Sequence, residues 1–143
     1  MKIKQISVFL ENRKGRLFDI CSMLGAGGIN IRALTIAETE SFGVLRMVVD
    51  KPGAAMEMFR GHNITANLTD VVAVEVPDTP GGLARVLKIL TDNDLNVEYM
   101  YGFVEKFSEN ALLVFRFDAP EAAHEILKTA GVNVIGEHDI EGL

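Results

Sequence analysis

Apolar residues along this chain fall into two alternating rhythms, and the whole series is written twice. Leu17, Ile20, Cys21 and Leu24 follow the i, i+3, i+4, i+7 spacing of one helix face, and 66 positions later Leu83, Val86, Leu87 and Leu90 repeat it. The same offset lays Ile6, Val8 and Leu10 on Val72, Val74 and Val76, the every-second-residue pattern of strands with one buried face. It also lays Ile29-Asn30-Ile31 on Leu95-Asn96-Val97. Beyond that point the offset becomes 68, as though the turn after the second strand had gained two residues. Leu45, Met47, Val49 and Asp50 then fall on Leu113, Phe115, Phe117 and Asp118, and Pro52, Ala55, Met58 and Phe59 fall on Pro120, Ala123, Ile126 and Leu127. Both prolines suit the first turn of a helix, where the missing N–H costs nothing.

Each copy therefore predicts strand, helix, strand, strand, helix, strand. In the first copy the strands are expected at 3–10, 29–38, 43–50 and 63–67, and the helices at 16–26 and 53–62. In the second, strands are expected at 71–77, 95–104, 111–118 and 132–136, and helices at 81–92 and 120–130. The βαββαβ order gives an α+β fold: two ferredoxin-like modules, 1–69 and 70–143, side by side, each an antiparallel four-stranded sheet with both helices on one face. The other sheet face must then be polar or covered. Only Asn67-Leu68-Thr69-Asp70 lies between the copies, with no Pro, Gly or Ser-rich linker, so tight docking into a continuous eight-stranded sheet is expected. A module near 70 residues buries a thin core, and pairing with another module or chain supplies what it lacks.

Composition narrows the function classes. The chain has 143 residues, 48% hydrophobic and 24% charged, which reads as globular. A net charge of −6 with no basic run argues against nucleic acid and anionic membranes, because phosphate recognition rests on clustered Lys and Arg. Apolar runs such as 71–76 fall far short of the roughly 20 residues a membrane helix needs, and Met1-Lys2-Ile3-Lys4 opens no signal peptide. A cytoplasmic protein is expected. The single cysteine, Cys21, sits on the apolar helix face and reads as inert packing.

A search for reaction chemistry returns little. His62, His124 and His138 are scattered, with none at metal-ligand or catalytic spacing, so neither a metal nor a cofactor is expected. Gly25-Ala26-Gly27-Gly28 follows a helix and precedes a strand, the reverse of a phosphate-binding loop, and reads as a helix end with a left-handed glycine. Glu38 and Glu40 read as solvated charge in a turn. Nothing in the sequence argues for an enzyme. Other users of the fold fit poorly: an RNA-recognition domain needs exposed aromatics and basic flanks, and a copper chaperone needs Cys-x-x-Cys where this chain has Asn12-Arg13-Lys14-Gly15.

The strand-to-helix loops are more distinctive. They read Leu10-Glu11-Asn12-Arg13-Lys14-Gly15-Arg16-Leu17 and Val76-Pro77-Asp78-Thr79-Pro80-Gly81-Gly82-Leu83, and Gly28-Ile29-Asn30-Ile31 opens the second strand. With these residues the chain resembles the ACT family, whose members typically show Asn-x-Pro-Gly, an apolar residue and a helix, then Gly-x-Asn-Ile. The second copy keeps Pro80-Gly81 but has Asp78 at the Asn position; the first keeps Asn12 and Gly15 but has Lys14 for Pro. The resemblance implies a regulatory module that binds small effectors, often amino acids, where the loop of one copy faces the second-strand Asn of the other. That matches Glu11, Asn12, Arg13, Lys14 and Gly15 with Asn96 and Val97, and Asp78, Thr79, Pro80 and Gly81 with Asn30 and Ile31.

Elementary chemistry is compatible with that expectation. A glycine turn entering a helix presents unpaired N–H groups and the positive dipole end to a carboxylate, and an Asn amide both donates and accepts. Asn, Asp and Gly are equally ordinary turn and cap residues, so their recurrence in both copies is what favours a site. Asn12, beside Arg13 and Lys14, suits a carboxylate better than Asp78 does and is expected to be the tighter site. Tyr99 and Tyr101 share a strand face and either fill the core with Phe103, the default expectation, or wall a pocket for an apolar or aromatic ligand side chain. The resulting expectation is an amino-acid-binding regulatory protein and a homodimer, either a free-standing sensor of a free amino acid or the regulatory subunit of an amino-acid-pathway enzyme. The alternative is a ligand-free structural oligomerisation module.

Overall fold

The computed structural model describes residues 3–38, 41–104 and 108–141. It divides into two compact units, Lys4–Thr69 and one made almost entirely of Asp70–Leu143. Glu40, half of the expected acidic turn, lies outside the described residues, as do residues 105–107 of the 105–110 turn expected to carry the two-residue insertion.

The first module opens with β1 (Ile3–Glu11), α1 (Arg16–Ala26), β2 (Ile31–Glu38), β3 (Phe42–Val49) and α2 (Pro52–Gly61). β3 is antiparallel to both β1 and β2, with Val8 opposite Leu45 and Leu34 opposite Met47. The Phe9 N–H donates to the Thr65 carbonyl at 3.1 Å, setting the chain that enters β4 (Ala66–Val76) beside β1. Ile6, Val8 and Leu10 meet Leu45, Met47 and Val49 from the sheet and Ile20, Leu24, Ala55 and Phe59 from the helices in one buried core. The period-2 and period-3.6 residues are therefore the ones that pack. Gln5, Ala33 and Val48 are buried too, outside that core, whereas Phe9 on the same face of β1 is exposed.

The second module uses the later part of β4, then α3 (Gly82–Asp92), β5 (Val97–Gly102), β6 (Ala111–Phe117), α4 (Pro120–Thr129), β7 (Val134–Ile135) and α5 (Glu137–Glu141). β4 pairs antiparallel with β6 and β7, and β6 with β5, giving the order β5-β6-β4-β7. Val72, Val74, Val76, Phe115 and Phe117 pack against Val86, Leu90, Ala123 and Leu127, the repeat of the first core. Phe115 and Phe117 stack with centroids 5.6 Å apart. Both modules carry the irregularity of a bulge at the start of their second strand, between Ile31 and Ala33 and between Val97 and Tyr99.

Four differences from the sequence reading have physical causes. The expected break at residues 67–70 is part of the unbroken strand β4, because that stretch has no Gly or Pro and its Leu and Thr are compatible with extended backbone. β2 and β5 begin two residues late, leaving Asn30 and Asn96 in the irregular backbone between the helix-end turns and the strands. Met100, not the tyrosines, packs into the helix-side core, so Tyr101, although buried, points to the opposite face. The short α5 was not anticipated; its Gly136 N–H donates to Asp139 Oδ2 at 3.2 Å, and Ile140 is its buried anchor. The glycine-rich helix end behaves as expected, with Gly28 at φ +72° and the Ile29 N–H closing on the Leu24 carbonyl at 2.9 Å.

Candidate functional site

The loop from β1 to α1 is held by its backbone and leaves its side chains outward. Asn12 N–H donates to the Ser41 carbonyl at 3.0 Å, Arg13 N–H to the Glu11 carbonyl at 2.8 Å, and Arg16 N–H to the Arg13 carbonyl at 3.2 Å. Gly15, at φ +91°, supplies the left-handed step into α1, whose start has no side-chain cap. Leu10, Glu11, Asn12, Arg13, Arg16, Leu17, Ile36, Glu38 and Gly43 enclose a small cavity of about 110 Å³. Lys14 and Gly15 are exposed and do not line it.

This cavity has a two-signed wall. Glu11 and Glu38 bring carboxylates and Arg13 and Arg16 bring guanidinium groups. Arg13 reaches Glu11 at 3.7 Å and Arg16 reaches Asp19 at 3.8 Å, both long for ion pairs. Arg16 Nε is buried with no hydrogen-bond partner, a donor whose desolvation nothing offsets. The sequence reading missed Arg16, Ile36 and Glu38. A signal for Arg16 existed: a cation at the first position of a helix faces the positive dipole end, an unfavourable placement that an anion would relieve.

The corresponding loop of the second module is tighter. Gly82 N–H donates to the Thr79 carbonyl at 2.9 Å, Arg85 N–H to the Gly81 carbonyl at 3.1 Å, and Gly81 is again left-handed at φ +81°. A Cβ on Gly82 would overlap the Pro77 carbonyl oxygen, so this close approach requires glycine. Asp78, Thr79, Pro80 and Gly81 are all exposed.

The second-strand residues stand elsewhere in their modules. Asn30 and Asn96 are exposed, while Ile31 and Val97 pack partly buried against the two helix-side cores. Along β3, Phe42 lies opposite Glu11 and Val49 opposite Ile31. The Asn12 loop and Asn30 are thus at opposite ends of one sheet, roughly 20 Å apart at about 3.3 Å per residue.

A second cavity recurs in both modules beside the first-strand end, the first helix and the last turn. In the first module it measures about 450 Å³ and is lined by Phe9, Glu11, Arg16, Met23, Phe42 and Thr65 among others. In the second it measures about 320 Å³, and the equivalent positions carry Glu75, Pro77, Gly82, Ile89, Asn110 and Asn133. Glu75 accepts from Ser108 Oγ at 2.9 Å, Asn110 Nδ2 at 2.8 Å and Asn133 Nδ2 at 2.6 Å. The Asn110, Asn133 and Ser108 donors hold its carboxyl below the usual carboxylate range. Among the described residues no group of three or more His, Cys, Asp or Glu could hold a metal, and no helix is long and apolar enough to cross a membrane.

Comparison with known proteins places these features in context. A family model described as an ACT domain pair matches residues 1–143. Among solved structures, the Bacteroides thetaiotaomicron protein BT0572 is 37% identical with a TM-score of 0.93, covering 100% of this chain and 98% of its own. The ligand-free regulatory subunit of aspartate kinase from Thermus thermophilus is 20% identical with a TM-score of 0.63, covering 89% of this chain and 91% of its own. Its counterpart from Thermus flavus is 17% identical with a TM-score of 0.61, covering 90% and 92%. No curated protein matches.

Proposed function

This chain belongs to the ACT domain pair family, and on that premise we propose that it is a regulatory protein that binds a free amino acid at the β1–α1 loop of its first module. The observation that carries the reading is Arg16, whose Nε is buried without a hydrogen-bond partner and which lines a cavity together with Asn12, Arg13, Glu11 and Glu38. A ligand carboxylate satisfies the guanidinium and the uncapped start of α1, and the ammonium meets the carboxylates. The Asp78 loop is the weaker counterpart, because its carboxylate repels a ligand carboxylate. Asn96 for the first site and Asn30 for the second are part of this proposal on the strength of the family resemblance.

The fold is shared with regulatory subunits of aspartate kinase, and the partner we propose is an enzyme of amino-acid metabolism, regulated by a homodimer of this chain. Calorimetric titration with separate Asn12→Ala and Asp78→Ala variants tests the ranking of the loops. Binding that weakens at least tenfold in Asn12→Ala and little in Asp78→Ala supports it; unchanged binding in Asn12→Ala rejects it.

A purely structural oligomerisation role is the second reading, favoured by one observation. Phe9, Phe18 and Phe42 are 48%, 72% and 60% exposed in the first module, more aromatic surface than an isolated domain gains by showing to water. Sedimentation of Phe18→Ser against the parent chain separates the readings, since only the structural one requires the assembly to dissociate while ligand response stays absent.

A further inference from the structure

The sheet face turned away from the helices carries, in the first module, an aromatic patch that the second module replaces with polar side chains. Ile6, Val8 and Leu10 point into the helix-side core, so Ser7, Phe9 and Glu11 point the other way, as alternation along a strand requires. On β3 the core residues Leu45 and Met47 send Val44 and Arg46 outward by the same rule, with Phe42 in their phase. Strand pairing sets these side chains in rows. Glu11 lies opposite Phe42, and in the next row Phe9 lies opposite Val44, with Ala37 beyond it. In the third row Ser7 lies opposite Arg46. Phe9 and Phe42 remain 48% and 60% exposed. Glu75 and Asn110 hold the matching positions of the second module, where the Asn110 and Asn133 amides donate to the Glu75 carboxylate at 2.8 and 2.6 Å. The second module thus ties this part of its face with hydrogen bonds, while the first leaves two phenyl rings half in water.

We propose that this patch is where a second copy of the chain docks, sheet face to sheet face, about a two-fold axis that follows the row of Phe9, Val44 and Ala37. The proposal rests on the homodimer put forward above and names the face that forms it. The patch is self-complementary about that axis. Phe9 and Val44 pack against the partner's Phe9 and the partner's Val44. The Glu11–Phe42 row falls on the row of the partner's Ser7 and the partner's Arg46, because the two rows lie about 7 Å to either side of the axis. Phe42 then offers its ring face to the partner's Arg46, a cation–π pair. Ser7 Oγ accepts from Gln5 Nε2 at 3.3 Å, which leaves its O–H to donate. Glu11 takes that donor from the partner's Ser7, with the partner's Arg46 one strand away. Two-fold symmetry makes each contact twice. Three strands by three rows measure about 10 by 14 Å, which places the interface among small ones, below about 1,200 Å² in total. Association is therefore weak and concentration-dependent.

Sedimentation equilibrium on the full chain, across the micromolar range, tests this with variants whose melts show that they are folded. Phe9→Ser and Phe42→Ser should each raise the dimer dissociation constant about tenfold or more, as loss of a central aromatic anchor does. Phe18→Ser, which alters an exposed aromatic on α1 and off this face, should leave it unchanged. Glu11→Arg and Arg46→Glu should each weaken the dimer, and the double variant, which exchanges the two charges, should associate more tightly than either single variant. Three results overturn this face while leaving the homodimer standing: a dimer unchanged in both Phe9→Ser and Phe42→Ser, one weakened by Phe18→Ser instead, or a double charge variant no tighter than its singles. A parent chain that stays monomeric throughout overturns the face and the homodimer together.

Discussion

Asn30 and Asp50 close on each other across the end of the first sheet: the Asn30 N–H donates to Asp50 Oδ1 at 2.9 Å, and the Asp50 N–H donates to the Asn30 carbonyl at 3.1 Å. Lys51 adds its Nζ to the Gly28 carbonyl at 3.0 Å, so the turn before β2 and the turn after β3 are tied in three places. The Asn30 contribution to this tie is main-chain alone. Asp50→Ala is therefore expected to lower stability by about 1 kcal/mol, the worth of a hydrogen bond lost at a partly exposed site. Asn30→Ala should leave stability nearly unchanged. Denaturant melts of the two variants check the asymmetry; equal losses contradict it.

Glycine is required at three loop positions for two different reasons. Gly15 and Gly81 are left-handed with open space around a notional Cβ or only a flexible side chain near it, so Gly15→Ala and Gly81→Ala should each cost about 1–2 kcal/mol of backbone strain. Gly82 faces a rigid obstacle, the Pro77 carbonyl. Gly82→Ala should cost about 1–3 kcal/mol through overpacking, whereas the equivalent position of the first module carries Arg16. Thermal melts that rank Gly82→Ala as neutral contradict this account of the loop.

Phe59 and Leu127 occupy the same repeat position and are both fully buried, in separate cores. Phe59→Ala should cost about 3–5 kcal/mol and Leu127→Ala about 2–5 kcal/mol. Hydrogen exchange is the measurement: each substitution should raise exchange most in the module that contains it.

The carboxyl of Glu75 is held below the usual range by Asn110, Asn133 and Ser108. A depressed carboxyl stabilises the fold above the unfolded value, about pH 4.3 for glutamate, and loses that contribution as pH falls through the lower folded value. Glu75→Gln, which cannot ionise, should be less stable than the parent at pH 7, and the gap should narrow as pH drops below about 4.3. Melting temperatures from pH 7 down to pH 3 test this, and a gap that stays constant across the range contradicts it.

The fold was legible because each module's core is drawn from residues whose spacing is fixed by element geometry: Ile6, Val8 and Leu10 alternate, Ile20 and Leu24 stand one turn apart, and the repeat doubles every signal. What was not legible depends on side chains that report only in three dimensions. Arg16 lies on the polar side of the helix pattern, and only the packed loop shows its Nε stranded. Glu75 sits on an outward strand position, and its donors lie 33, 35 and 58 residues away. The bulges at Ile31 and Val97 shift the strand phase by one, which is why Tyr101 lies off the helix-side core while Met100 packs on it.

A thermal-shift panel of the twenty amino acids on the parent chain and on Arg16→Ala tests the amino-acid-binding reading most directly. One or a few amino acids should stabilise the parent by about 2.7 kcal/mol at a hundredfold excess over the dissociation constant, and Arg16→Ala, folded as judged by its own melt, should lose most of that shift. No response from any amino acid at millimolar concentration, or an equal response in Arg16→Ala, contradicts it.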